Sequence, residues 1–219
     1  MFGIDKTEMT HITIAMLVLS LAFSIGDIKL GWDTFFMFLP VTIVGVGSAF
    51  MIHELAHKFV AIRLGAFARF QLWESGLLIA LLSAIATGGQ YIFAAPGAVY
   101  IYAQSLSRQA NGLISIAGPL TNLLLGGLFF GVFLFALSTN NNYLVYLGYT
   151  AASINFFLGF FNMIPLGPLD GGKVLNWNIG AWILLAVALG AMVFFGDSLF
   201  AIAANSLFPT ATMTQLFFA

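Results

Sequence analysis

The chain has 219 residues, 61% of them hydrophobic and 7% charged, and its mean hydropathy is +1.02. Such a composition lies far from that of soluble domains and marks an integral membrane protein with the lipid bilayer as its main partner. Seven Lys plus Arg against eight Asp plus Glu leave no basic surplus for nucleic acid. With no cysteine, disulfides are excluded and any transition metal must use nitrogen and oxygen ligands.

The N-terminal stretch MFGIDKTEMTHITIAMLVLSLAFSIG carries Asp5 and Glu8 ahead of its apolar run and has no basic leader. It reads as a retained first membrane helix, not a cleaved signal. His11, alone at the start of that run, reads as an interfacial side chain. Runs near the roughly 20 residues that span a bilayer fall at 11–26, 35–62, 113–138, 143–164 and 178–196; a sixth, 198–217, is interrupted by Pro209.

Between the second and third runs lies a short apolar segment, 76–89, followed by QYIFAAPGAVYIYAQSLSRQANG. Tyr, Val, Ile and Phe around a Pro-Gly turn favour strands and predict a hairpin at the membrane surface near 93–111. The short polar loop STNNNY makes 113–138 and 143–164 antiparallel neighbours. The expected fold is an all-α polytopic membrane protein of about six transmembrane helices with a small membrane-associated β-hairpin. It is expected to form a single domain over 1–219, with a core at about 35–175 and flanking helices at 11–26 and 178–217.

Chemistry concentrates in SAFMIHELAHKFVAIRLG, where His53, Glu54, His57 and Lys58 interrupt a membrane span. Ionisable groups in hydrocarbon are costly and point to function. His53-Glu54-Leu55-Ala56-His57 is an H-E-x-x-H motif. Residues i and i+4 share a helix face, so both imidazoles can meet one metal ion with the glutamate flanking it. Two histidines on zinc require a third protein ligand and leave a position for water.

Asp5, Glu8, Asp27, Asp33, Glu74 and Asp197 fall in termini or connections, where ordinary solvation explains them. Asp170 does not. It follows NMIPLGPL, where Pro165 and Pro168 break regular helix, and precedes Gly171-Gly172, which permit a tight turn. Broken backbone beside a membrane span is tolerated where it lines a cavity. The plainer reading of Asp170 is a helix N-cap, but a two-histidine site in need of an acid gives weight to the ligand reading.

Taken with Asn162-x-x-Pro165-x-x-x-Leu169-Asp170-Gly171 and Gly118-Pro119-x-x-Asn122, the H-E-x-x-H segment resembles the site-2 protease family of intramembrane zinc metalloproteases. The resemblance covers about residues 35–175. It implies that His53, His57 and Asp170 bind one Zn²⁺, that Glu54 is catalytic, and that Asn162 helps bind substrate backbone; Asn122 is a further substrate-binding candidate. The implied substrates are transmembrane proteins, cut within or near their membrane segments. No PDZ-like insert of the kind some members carry is visible in this sequence.

Two other readings are weighed. A different zinc metallopeptidase would need a downstream glutamate ligand, and Glu74 alone follows the motif, just beyond the span. A non-catalytic metal-binding membrane protein or ion transporter would use the histidines to carry ions and release no peptide. Charge also predicts topology. If 76–92 does not cross the membrane, Lys6, Lys58, Arg63, Arg69, Arg108 and Lys173 share one side, which the positive-inside bias makes cytoplasmic, and Lys29 lies opposite. His57 lies six residues before Arg63, about 9 Å along a helix, so the active site is expected in the cytoplasmic half of the membrane. The third ligand must enter from that half, which favours a re-entrant or surface-lying 76–92.

Overall fold

The computed structural model describes residues 3–93, 96–103 and 105–207. Asp5 caps α1 (Lys6–Ser24), its carboxylate accepting from the Glu8 N–H at 2.8 Å, and a 3₁₀ stretch (Ile25–Leu30) extends that helix to its far end. α2 (Trp32–Val46), a π-helical stretch (Gly47–Ile52) and α3 (His53–Arg63) form one continuous 32-residue rod. After β1 (Phe67–Leu72), α4 (Glu74–Thr87) and β2 (Gly97–Tyr102) come α5 (Arg108–Ser138), α6 (Asn142–Asn162), the short α7 (Asp170–Trp177) and α8 (Ile179–Leu207). Among the described residues, five helices are long and apolar enough to cross a membrane. Their outer faces carry side chains such as Leu124, Leu184 and Phe194, 66%, 75% and 70% exposed, which only lipid would cover without cost.

The chain is thus a helical, multi-pass membrane protein with a small antiparallel sheet. Two details depart from the sequence expectation. The proposed fifth and sixth spans are not separate up to Leu207: α8 runs unbroken through 196–198, and the remainder of 198–217, including Pro209, lies outside the described residues. The sheet is also not a local hairpin within 93–111. β2 pairs with β1, in register Phe70↔Val99, across the intervening α4. Strand propensity located β2, but β1 (FARFQL) carries two charge-capable or amide side chains and no turn signal, so its pairing was decided by tertiary contacts.

The segment containing α4 runs out from the sheet and back to it. α4 begins at the sheet, beside the start of α1, and is followed by Gly89, which lies against the Gly26 backbone near the opposite end of α1. Fourteen helical residues rise about 21 Å, and the eight-residue step from Gly89 to Gly97 can return that distance when extended. The chain between the two strands therefore begins and ends at the same sheet.

Two large apolar clusters hold the bundle, and a smaller one around Ala61, Ala68 and Ile114 joins α3, β1 and α5. One joins α5, α6 and α8 through Phe133, Phe156, Leu189 and Phe200. The other packs α1 and the π-helical rod on the sheet and α4 through Ile12, Phe50, Phe70 and Leu77. Between the two large clusters the start of α3, the start of α5, the end of α6 and α7 converge.

Candidate metal centre

On α3, His53 and His57 stand one turn apart with their Nε2 atoms 3.0 Å from each other. Oδ2 of Asp170 lies 3.4 Å from the first and 3.0 Å from the second. All three residues are buried. Among the described residues, this is the group of His, Asp and Glu side chains whose ligand atoms converge as a metal site requires.

The surrounding hydrogen bonds decide which nitrogens face the centre. His57 Nδ1 lies 2.7 Å from the Ile114 carbonyl, an acceptor, so Nδ1 carries the proton. His53 Nδ1 lies 2.5 Å from Oδ1 of Asn122, whose own Nδ2 donates to the Ala49 carbonyl at 2.8 Å and to Asn155 Oδ1 at 3.2 Å. Those two acceptors fix the Asn122 amide, so its oxygen must face His53. Both Nε2 atoms thus present lone pairs, and with Asp170 they form three acceptors facing one another. A cation relieves that arrangement, and the donor set of two imidazoles and a carboxylate with fixed outer partners fits zinc.

The backbone explains how each group arrives. The π-helical stretch just before His53 widens the helix, and the Ala49 carbonyl within it accepts from the Asn122 side chain instead of serving only the helix. Asn155 continues the network, donating to Ser48 Oγ at 3.1 Å and to the Ala151 carbonyl at 2.8 Å. Gly118 lets α5 approach the imidazoles: a Cβ there would sit 2.5 Å from both Nε2 atoms. Gly171 packs on the backbone of Met163 and Ile164, which brings Asp170 onto the end of α6. The Met163 carbonyl accepts from Trp182 Nε1 at 2.8 Å, tying α8 to the same corner. Asp170 is the first residue of α7, with Leu169 at the cap, so it is not the N-cap.

An open cleft of about 170 Å³ leads to the centre. Glu54, Ser115, Asn162 and Lys173 supply polar lining beside the three metal-facing residues, while Phe50, Leu158, Phe161 and the segment from Pro96 to Val99 form apolar walls. Glu54 Oε2 accepts from the Val99 N–H at 3.1 Å. Asn162 lines the cleft and donates to the Leu158 carbonyl at 3.0 Å. Asn122 does not line it. It is wholly buried, and its side-chain oxygen bonds to His53 and not into the cleft. Sequence reading missed Asn155 and the two carbonyls; an asparagine inside the apolar run 143–164 was the available signal. Glu8 is a correction: expected in solvent, it is 1% exposed.

The profile of peptidase family M50 matches residues 136–187, from the end of α5 through α6 and α7 into α8. Over 188 residues the chain is 36% identical to a Methanocaldococcus jannaschii protein provisionally named a zinc metalloprotease, spanning 86% of this chain and 93% of the relative. A second protein of that organism, named a zinc metalloprotease, is 29% identical over 167 residues; the match spans 76% of this chain and 40% of that relative. A Bacillus subtilis protein, provisionally named likewise, is 26% identical over 154 residues, spanning 63% of this chain and 68% of its own length. No solved structure matches the chain. Near-complete coverage of the first relative, together with the metal centre's donor set, establishes that the chain belongs to the site-2 protease family of zinc metalloproteases, peptidase family M50.

Proposed function

We propose that the protein hydrolyses peptide bonds within or near transmembrane segments of other membrane proteins, holding one zinc ion per chain with His53, His57 and Asp170. The observation that carries this reading is the convergence of three lone-pair donors in a cleft walled by membrane-spanning helices, with Glu54 at its side. When bound, zinc supplies Lewis acidity that polarises a carbonyl and makes water acidic near neutral pH.

The protein's own groups do the rest. Glu54 accepts the proton of the attacking water at a carboxylate oxygen and returns it to the leaving amine. A helical substrate hides its peptide groups in its own hydrogen bonds and must unwind to be cut. The cleft offers two places for freed backbone. Asn162 presents its side-chain amide, and β2 presents an edge. Phe70 and Val99 form a pair whose backbone groups point away from each other, so Gly97, Val99 and Ile101 turn theirs away from β1 by the two-residue alternation of the ladder. An extended segment can dock along such an edge.

The centre lies in the membrane half that carries Lys58, Arg63, Arg69, Arg108 and Lys173, and the positive-inside bias makes that half cytoplasmic. The test is incubation of detergent-purified protein with a panel of single-span substrates, with and without a zinc chelator, beside Glu54→Gln. Cleavage abolished by chelator, restored by zinc and absent in Glu54→Gln is the expected result. Cleavage persisting in Glu54→Gln removes the assigned base, and no product from any substrate favours the ion-carrying alternative.

A further inference from the structure

The face of α3 beside the histidines carries Glu54 and Lys58, one turn apart, and each is tied to a different strand of the sheet. Glu54 holds the Val99 N–H of β2. Lys58 is 2% exposed, and its Nζ lies 2.5 Å from Oε2 of the equally buried Glu8 and 2.9 Å from the Gly3 carbonyl. The other Glu8 oxygen, Oε1, accepts from the Phe70 N–H of β1 at 2.9 Å. Phe70 and Val99 face each other in the ladder. The contacts close a ring from α3 through Lys58, Glu8, β1 and β2 to Glu54 and back to α3.

Stability alone gives no reason for the pair. A buried ion pair roughly breaks even against well-packed apolar residues of the same volume, because desolvation offsets the attraction. What the charged pair supplies and an apolar pair cannot is a fixed acceptor for one rung of β1. That rung sets where the Val99 N–H stands, and the Val99 N–H is the donor that holds the Glu54 carboxylate at the cleft. Asp5 reinforces the same corner, capping the Glu8 N–H and pairing with Arg69, the residue before Phe70. We infer that Glu8 and Lys58 are positioning residues for Glu54, acting through the β1–β2 sheet. The inference rests on Glu54 serving as the base in the reaction proposed above.

Two variants test it in the purified protein: Glu8→Gln, which puts an amide nitrogen that cannot accept in place of one of the two oxygens serving Lys58 and Phe70, and the double variant Glu8→Leu with Lys58→Met, which replaces the pair by apolar groups. Zinc content, kcat and KM are measured, together with amide hydrogen exchange over Gly97–Tyr102 in the absence of substrate. Both variants are expected to keep zinc and KM, to lose about 10- to 100-fold in kcat, the range for residues that orient site groups from outside, and to exchange faster over β2. If the double variant does not fold, Glu8→Gln decides. Unchanged kcat in a zinc-loaded variant, a loss carried by KM, or a loss of kcat without faster exchange over β2 overturns the inference. Should the parent protein cleave nothing, the proteolytic reading fails, and the exchange comparison still decides whether the pair holds the sheet.

Discussion

Substituting His53, His57 or Asp170 by Ala removes one of the three proposed metal ligands, whereas Glu54→Gln leaves all three in place. Elemental analysis of the purified variants is therefore expected to show about one zinc per chain in the parent and in Glu54→Gln, and strong depletion in the other three. Zinc retained in Asp170→Ala and lost in Glu54→Gln would reverse the assignment. Asn122→Ala makes a finer demand. It strands the buried His53 Nδ1–H and frees the ring to turn, so zinc affinity is expected to fall about 10- to 100-fold in competition with a chelator while the fold persists. Equal affinity would mean that Asn122 does not orient His53. The H-E-x-x-H spacing made the first pair of ligands readable because helix geometry alone brings i and i+4 together. Asp170 was readable because broken backbone marked it out. The outer partners of the histidines were not: one is a carbonyl, which every residue has, and the other is an asparagine whose assignment depends on which way a distant helix faces.

At the scale of elements, α5 reaches the centre only because residue 118 has no side chain. Gly118→Ala would place a methyl carbon against both imidazoles, whose rings are held in place by Asn122 and the Ile114 carbonyl. Overpacking of this kind costs about 1–3 kcal/mol. The expected outcome is a lower melting temperature with a larger relative loss of zinc, measured on one preparation; normal zinc affinity in Gly118→Ala would contradict the close approach. The long helices were legible from apolar runs because in a membrane every spanning segment must satisfy its own backbone. The sheet was legible only in part. A strand's partner depends on what lies beside it in space, and here α4 separates the two. The Glu8–Lys58 pair was illegible for the same reason: Glu8 was read by its position near a terminus, and nothing local says that β1 and α3 will bury it.

Over the whole molecule, the excursion of the chain along α4 and back leaves α3, the sheet, the start of α5 and α7 at one end, and the Asn140 turn between α5 and α6 at the other. Thirty-one residues of α5 span about 46 Å, more than the hydrocarbon core of a bilayer. With no native cysteine, single cysteines at Ser107 and Asn141 report the two ends without background. An impermeant reagent applied to oriented vesicles is expected to label one and spare the other, with Ser107 on the cytoplasmic side; labelling of both from one side would contradict the arrangement. The central claim is that chemistry happens at membrane depth, about 9 Å in from Arg63. Mass spectrometry of the products from a single-span substrate tests it most directly. New termini inside the substrate's apolar segment, toward its cytoplasmic end and absent with Glu54→Gln, are predicted; termini confined to soluble flanking sequence, or unchanged with Glu54→Gln, would contradict the account.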